Sequence, residues 1–268
     1  MNRGAWAWAV VAVVLLARLL SGLGGYDVVA DVDPDNAGAA PGAAAWLGTD
    51  ALGRDVAWRM VTATDAFVLP SIAAALVSVG FGGLLGTIGG WFGGMTARAS
   101  AAVGGVPGAA PRFVLVLLLA TIFEPSPAVL AVGCGLAFVP QASAEVGARL
   151  GALRRTAFVE ASLVHGVGVP RVLGMHLLWT GCRLLLARLG MQAAAFFVVV
   201  ETTLSYLGDL GVQEPLPSFG NMVASGLVDG RLHVVARLAP AVALWLLLAA
   251  MFRIDGVLAR RDAREAAG

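Results

Sequence analysis

The chain has 268 residues, 59% hydrophobic and only 13% charged, with a mean hydropathy of +0.84. A water-soluble domain carries about a quarter charged residues, so this composition excludes an ordinary soluble enzyme and commits most of the chain to apolar runs that can cross a bilayer. The net charge of +1, with no basic stripe interleaved by aromatics, excludes nucleic acid as a partner, and all 18 basic residues are Arg, so no Lys exists for a standard phosphate-binding P-loop.

Six spans are predicted, each near or above the ~20 residues a hydrocarbon core requires. The first covers Trp6 to Leu20. Leu16 to Gly25 offers no small-x-small cleavage site, so this span is read as a retained helix rather than a signal peptide. From Ser21 to Asp65 the chain is loop-like through Pro41 and then helical. Asp50 is the expected cap, and Val56, Met60 and Val61 recur at helical spacing, which predicts a short amphipathic helix on the outer surface.

The second span is Phe67 to Phe92. Its glycines Gly82, Gly86, Gly90 and Gly94 fall four residues apart, a smooth ridge against which another helix backbone can pack. The third span, Ala99 to Phe123, is weakened by Gly and Pro between Val103 and Arg112. The fourth runs from Ala128 to Gly147, the fifth from Gly181 to Tyr206 and the sixth from Val234 to Phe252. Cys134 and Cys182 fall in or beside spans without CxxC or His/Cys metal spacing, so they read as small buried hydrophobes, with neither a disulfide framework nor a metal site.

Six spans place both termini and the second–third and fourth–fifth loops on one side. That side holds Arg3, Arg98, Arg149, Arg154, Arg155, Arg171, Arg260, Arg261 and Arg264, whereas the other has Arg54, Arg59 and Arg231 but collects Asp27, Asp31, Asp33, Asp35, Asp50, Asp55, Asp65, Asp209, Glu214 and Asp229. The Arg bias predicts cytoplasmic termini and a multi-pass protein of the cell membrane.

Leu150 to Trp179 is the most informative loop. Ala148 to Val164 favours helix, Gly166 and Gly168 suit its termination, and Pro170 suits the first turn of a second helix. A helix–turn–helix on the basic face is built to touch another protein. Its wording is Glu160-Ala161-Ser162, three residues, Gly166, then nine residues to His176-Leu177-Leu178-Trp179. This resembles the "EAA" loop of binding-protein-dependent ABC importers, whose pattern is Glu-Ala-Ala, three residues, Gly, and nine residues to a final Ile-x-Leu-Pro. Ser162 replaces the second Ala, His176 stands at the Ile position and Trp179 at the Pro position. Leu47-Gly48-Thr49-Asp50-Ala51-Leu52-Gly53-Arg54-Asp55-Val56 looks like the outer signature of the C-type permease of dipeptide, oligopeptide and nickel importers. Trp91-Phe92-Gly93-Gly94, Leu204 to Gly208 with Gly211 to Met222, and Asp255-Gly256-Val257-Leu258 also resemble segments of that family. The likeness covers Leu47 to Arg261.

The resemblance implies an all-α permease of the type I ABC importer fold with six transmembrane helices. Residues 1–66 would supply the first helix and outer loop, 67–261 the transmembrane domain with its coupling loop at 148–180, and 262–268 a cytoplasmic tail. It further implies a second homologous permease subunit, two ABC ATPase subunits (or one fused ATPase chain) that bind ATP and Mg, and an extracytoplasmic solute-binding protein. No cofactor or catalytic residue would belong to this chain. Glu160, Ala161, Ser162, His165, Gly166, Val167 and Gly168 would couple it to the ATPases. The expected solute is a peptide, with nickel the alternative.

Individual residues in the spans keep two readings each. Glu201 either lines the translocation pathway, or pairs with Arg237, or is a structural carboxyl bonded to Thr202, Thr203 or a neighbouring helix. Arg112 either pairs within the bundle or faces the solute. His165 and His176 read as interface or packing residues. An ion-coupled secondary transporter is the rival class; it calls for internal repeats and midplane acids, and Glu201 is the acid weighed for it. A membrane enzyme lacks its motifs, with no HExxH or GxSxG in the chain.

Overall fold

A computed structural model describes residues 5–22, 27, 31–123, 126–208, 210–228 and 232–267. Every regular element among them is helical. In chain order these are α1 (Ala5–Ser21), α2 (Val56–Ala63), α3 (Val68–Val77), α4 (Gly83–Phe92), α5 (Gly94–Gly105), α6 (Arg112–Ile122), α7 (Pro127–Leu153), α8 (Ala157–Val164), α9 (Val169–Arg171), α10 (Arg183–Leu207), α11 (Phe219–Val228) and α12 (Val234–Ala267). Two π-helical stretches interrupt the regularity, Ser78–Gly82 between α3 and α4 and Val172–Gly181 after α9.

Among the described residues, four helices are long and apolar enough to cross a membrane: Val56–Phe92, Pro127–Leu153, Arg183–Leu207 and Val234–Glu265. The third expected span is instead a broken one, Gly94–Ala109 and Arg112–Ile122 meeting at 76°. The break follows from Pro107, whose ring starts a 3₁₀ turn, and from Pro111, which forces the extended backbone of Ala110. The first expected span, α1, is a shorter apolar helix of 17 residues.

The chain forms two compact units. The first comprises Met1–Ser71, Ala120–Leu130 and Ala195–Ile254; the second comprises Ile72–Leu119, Ala131–Ala194 and Asp255–Gly268. In the first, α1 packs on α2, and Val56, Ala63, Met222 and Ala236 bury a core flanked by Leu47 and Met60. The Phe67 and Phe219 rings meet at 5.3 Å. The expected amphipathic helix before the second span is α2, but it begins later than predicted. Asp55, not Asp50, caps it, accepting hydrogen bonds from the amides of Ala57 (2.7 Å) and Trp58 (3.2 Å). Gly48 and Gly53 take left-handed φ values of +84° and +76°, which folds residues 48–55 into tight turns that no helix can share.

In the second unit the core gathers Trp91, Ala142, Val146, Leu150, Val159, Val172, Cys182, Leu185 and Leu189. Gly82, Gly86 and Gly90 lie against α7: a Cβ at Gly86 would stand 2.7 Å from the Ser143 carbonyl, and one at Gly90 2.5 Å from that of Gly147. Gly94 has open space around it and a φ of +54°, so it turns the chain into α5 instead of continuing the close approach.

Candidate functional site

The loop singled out by sequence is organised around α8. The expected continuous helix from Ala148 to Val164 is two helices: α7 ends at Leu153, and Thr156, with an extended backbone (φ −81°, ψ 144°), starts α8. Two local bonds hold this corner. The Arg154 guanidinium donates to the Trp91 carbonyl, and the Thr156 hydroxyl donates to the Leu153 carbonyl at 2.7 Å.

The far end of α8 closes in a Schellman motif. The Gly166 amide donates to the Leu163 carbonyl and the Val167 amide to the Ser162 carbonyl, both at 3.0 Å. This closure requires the left-handed φ of +78° at Gly166, which a residue with a Cβ adopts only at a cost. His165 sits at the C-cap, its Nδ1 2.7 Å from the Ala161 carbonyl, and the Ser162 hydroxyl donates to the Phe158 carbonyl at 2.8 Å. Gly168 then caps α9, its carbonyl accepting from the amides of Arg171 and Val172. The side chain of His176 lies outside the described residues.

α8 therefore has two sides. Val159 is buried in the core with Leu150, Val172 and Cys182, and Val167 packs against the same cluster. Phe158, Leu163 and Val164 are exposed, the last by 85%, and Glu160 and Ala161 are exposed beside them. An eight-residue helix anchored on one side and apolar on the other is a rigid projection with an uncovered face.

The pathway candidates lie in different surroundings. In the first unit Glu201 is buried, and the Ser205 hydroxyl donates to its Oε1 at 2.7 Å. Ser205 Oγ in turn accepts from the Val212 amide at 2.8 Å. Thr203 donates to the Val199 carbonyl instead. In the second unit Arg112 opens α6, lies over the Phe138 ring at 4.0 Å and donates to Gln141 Oε1 at 2.8 Å.

Two groupings escaped the sequence reading. In the first unit Arg54 and Arg59 each bridge Asp50 and Glu214. Arg54 reaches them at 2.7 and 2.9 Å, and Arg59 reaches Glu214 at 2.6 Å as well as Asp50. Burial alone would raise the Asp50 carboxyl, but the Arg54 amide and the two guanidiniums outweigh it and hold it below its ordinary value. Burial would likewise lower Arg54, and its bonds to Glu214 and Asp50 raise it instead. The motif containing Asp50, Arg54 and Asp55 was visible, but Glu214 is 160 residues from Arg54, and nothing local announces the pairing.

In the second unit a polar row crosses α6, α7, α10 and α12. Gln141 Nε2 donates to Glu145 (2.8 Å) and to Gln192 (3.0 Å), Arg188 pairs with Glu145, and Gln192 donates to Asp255 at 3.1 Å. Glu145 is thus a second acid inside a span beside Glu201. The available signal was i, i+4 spacing: Gln141 with Glu145, and Arg188 with Gln192, each pair on one helix face.

Among known proteins the chain is similar to several permeases. It is 29% identical over 213 residues to the oligopeptide transport system permease protein OppC of Mycobacterium tuberculosis H37Rv, covering 78% of this chain and 72% of that protein. It is 25% identical over 263 residues to the glutathione transport system permease protein GsiD of Pectobacterium atrosepticum, covering 98% and 85%. A Brucella suis biovar 1 protein named for a peptide permease is 32% identical over 224 residues, covering 80% and 72%. No family model matches the chain. With an all-helical fold, several membrane-crossing helices and this identity over most of both sequences, the chain belongs to the OppC-like family of ABC transporter permease proteins.

Proposed function

We propose that this chain is a permease subunit of an ATP-driven peptide importer, forming half of the translocation pathway in a complex with a second permease, cytoplasmic ATPases and an extracytoplasmic binding protein. The observation that carries this reading is the pairing of the relatives' names, which are those of oligopeptide and glutathione transport permeases, with a projecting helix whose outer face is apolar and uncovered. In this reading α1 and the bent α5–α6 pair count as spans, giving six, and the Arg-rich side with both termini faces the cytoplasm. ATP and Mg belong to the ATPases, and this chain performs no chemistry of its own.

Its task is mechanical. The exposed face of α8, with Glu160 to Gly168, docks in a groove of an ATPase subunit. When ATP draws the ATPases together, α8 moves as a rigid body because its C-terminal end is closed by the Schellman turn and Val159 anchors it in the core. Val159 and Val167 pass the displacement into the core formed by Leu150, Val172, Leu185 and Leu189, since a close-packed interior transmits strain instead of absorbing it. The spans that carry those residues, α7 and α10, then switch the path between inward- and outward-facing states.

Gly166→Asp tests the reading. It strains the left-handed turn at φ +78° and sets a charge at the docking face. The expected result is a membrane-resident, assembled subunit whose peptide-stimulated ATPase activity and uptake are lost, while Gly151→Asp, outside the turn, is milder. Full coupling in Gly166→Asp would remove α8 as the docking element.

A further inference from the structure

The polar row of the second unit has a composition that lipid does not tolerate and a core does not need. Gln141 sits near the middle of the 27-residue α7, roughly 20 Å from either end at 1.5 Å per residue. That is the depth of the hydrocarbon. Yet the row is accessible: Arg112 is exposed, Gln141, Gln192 and Asp255 are half-buried, and the side chains of Glu145 and Arg188 are 31% and 23% exposed. Charged groups at this depth face protein or water, because in hydrocarbon each costs several kcal/mol. Elsewhere in the same unit the exposed residues of the spans are of the opposite kind, among them Leu76, Phe81, Leu84 and Ile88, which suit lipid.

The order of groups along the row is also specific. A guanidinium at Arg112 is followed by the carboxamides of Gln141 and Gln192, and these by the carboxylates of Asp255 and of Glu145, the latter also paired with Arg188. A short peptide presents the complementary sequence of groups: a carboxylate, amide bonds that both donate and accept, and an ammonium. Each carboxamide is held by partners in the row, and a bond to a passing amide replaces the amide-to-amide bond from Gln141 to Gln192 with one of the same kind, at little net cost. Such a wall favours passage over retention.

We propose that Arg112, Gln141, Glu145, Arg188, Gln192 and Asp255 form the wall of a water-filled path on this subunit, and that the transported peptide touches it. This rests on the peptide-import reading above. Gln141 and Gln192, on α7 and α10, mark the middle of the wall.

The test uses the complete complex in proteoliposomes, with a charged, membrane-impermeant thiol reagent and trialanine as the solute. Cys134 and Cys182 are buried, so the wild-type chain is the blank. Gln141→Cys and Gln192→Cys should each react about tenfold faster than Leu84→Cys, the lipid-facing control, and turnover with trialanine, ATP and binding protein should slow that reaction about threefold. Reaction at the control rate at both positions, with wild-type trialanine uptake intact, overturns the water-filled path. Fast reaction that trialanine leaves unchanged overturns the peptide contact. Absence of trialanine uptake by the wild-type complex brings down the import reading and this inference with it. Gln192→Asn, which keeps a carboxamide, guards against variants that do not assemble: at wild-type yield of the purified complex the expected change is a raised KM for trialanine, and an unaltered KM counts against the contact.

Discussion

The two polar groupings of this chain use the same chemistry to opposite ends. At Asp50, Arg54, Arg59 and Glu214 two guanidiniums with side chains only 5% and 2% exposed are shared between two carboxylates, each Arg reaching both. In the row from Arg112 to Asp255 each charged group has fewer ties, and the Glu145–Arg188 pair stays partly open. The first is over-determined: every charge has two partners of opposite sign, and removing one leaves the two that faced it with a single partner each. The second has one link between opposite charges, Glu145 with Arg188, and its other links run through the carboxamides of Gln141 and Gln192. Redundancy and burial make a clamp; sparseness and access make a surface that can exchange partners.

The largest expected effect comes from breaking the clamp. Arg59→Met leaves Asp50 and Glu214 facing one guanidinium instead of two, and loss of one member of a buried ionic group costs about 3–5 kcal/mol. Thermal unfolding in detergent should show this, together with loss of assembled complex; a shift equivalent to under about 1 kcal/mol would mean that the cluster is solvated rather than locked. An intermediate effect is expected with acid. Asp50 has a native value below its ordinary 3.8, so its contribution is complete above that pH and disappears as pH falls through the lower native value. The clamp should therefore hold unchanged from pH 7 to about 4 and fail only below it, as followed by proteolysis of the outer segment across that range. Failure already near pH 6 would assign the acid limb to other groups.

The smallest effect is expected in the row. Glu145→Gln removes a partly exposed ion pair but keeps an acceptor for Gln141, so unfolding should shift by less than about 1 kcal/mol. Its consequence belongs to transport, not to stability. A loss as large as that of Arg59→Met would erase the distinction between the two groupings.

How much of this was legible beforehand depended on the range of the interactions involved. The long helices α7, α10 and α12 follow from long, mainly apolar runs, since length and hydropathy are local properties. The break between α5 and α6 was signalled by Pro107 and Pro111 but appeared in the reading only as a weak span. The junction at Thr156 was missed because Leu150 to Val164 has helix-forming residues throughout; the interruption depends on Arg154 reaching the Trp91 carbonyl, a contact 63 residues away. Asp50 looked like a cap because it lies near the start of a helix. Its carboxylate instead closes the turn to the Leu52 and Arg54 amides at 2.8 and 2.9 Å and binds both guanidiniums, so the adjacent Asp55 is left to cap. Local pattern identifies elements; it does not assign one side chain among several competing partners.

The uncovered side of α8 has a further consequence, for how the subunit is made. Phe158 and Val164 stand exposed on α8. Under the proposed assembly, a copy synthesised in excess of its companions would carry this apolar patch uncovered for as long as it waits. Such an orphan is a substrate for chaperones and for membrane proteases, which recognise exposed apolar segments. The same few side chains thus act as a stoichiometry gauge, and the cellular level of this subunit should follow that of whatever covers them.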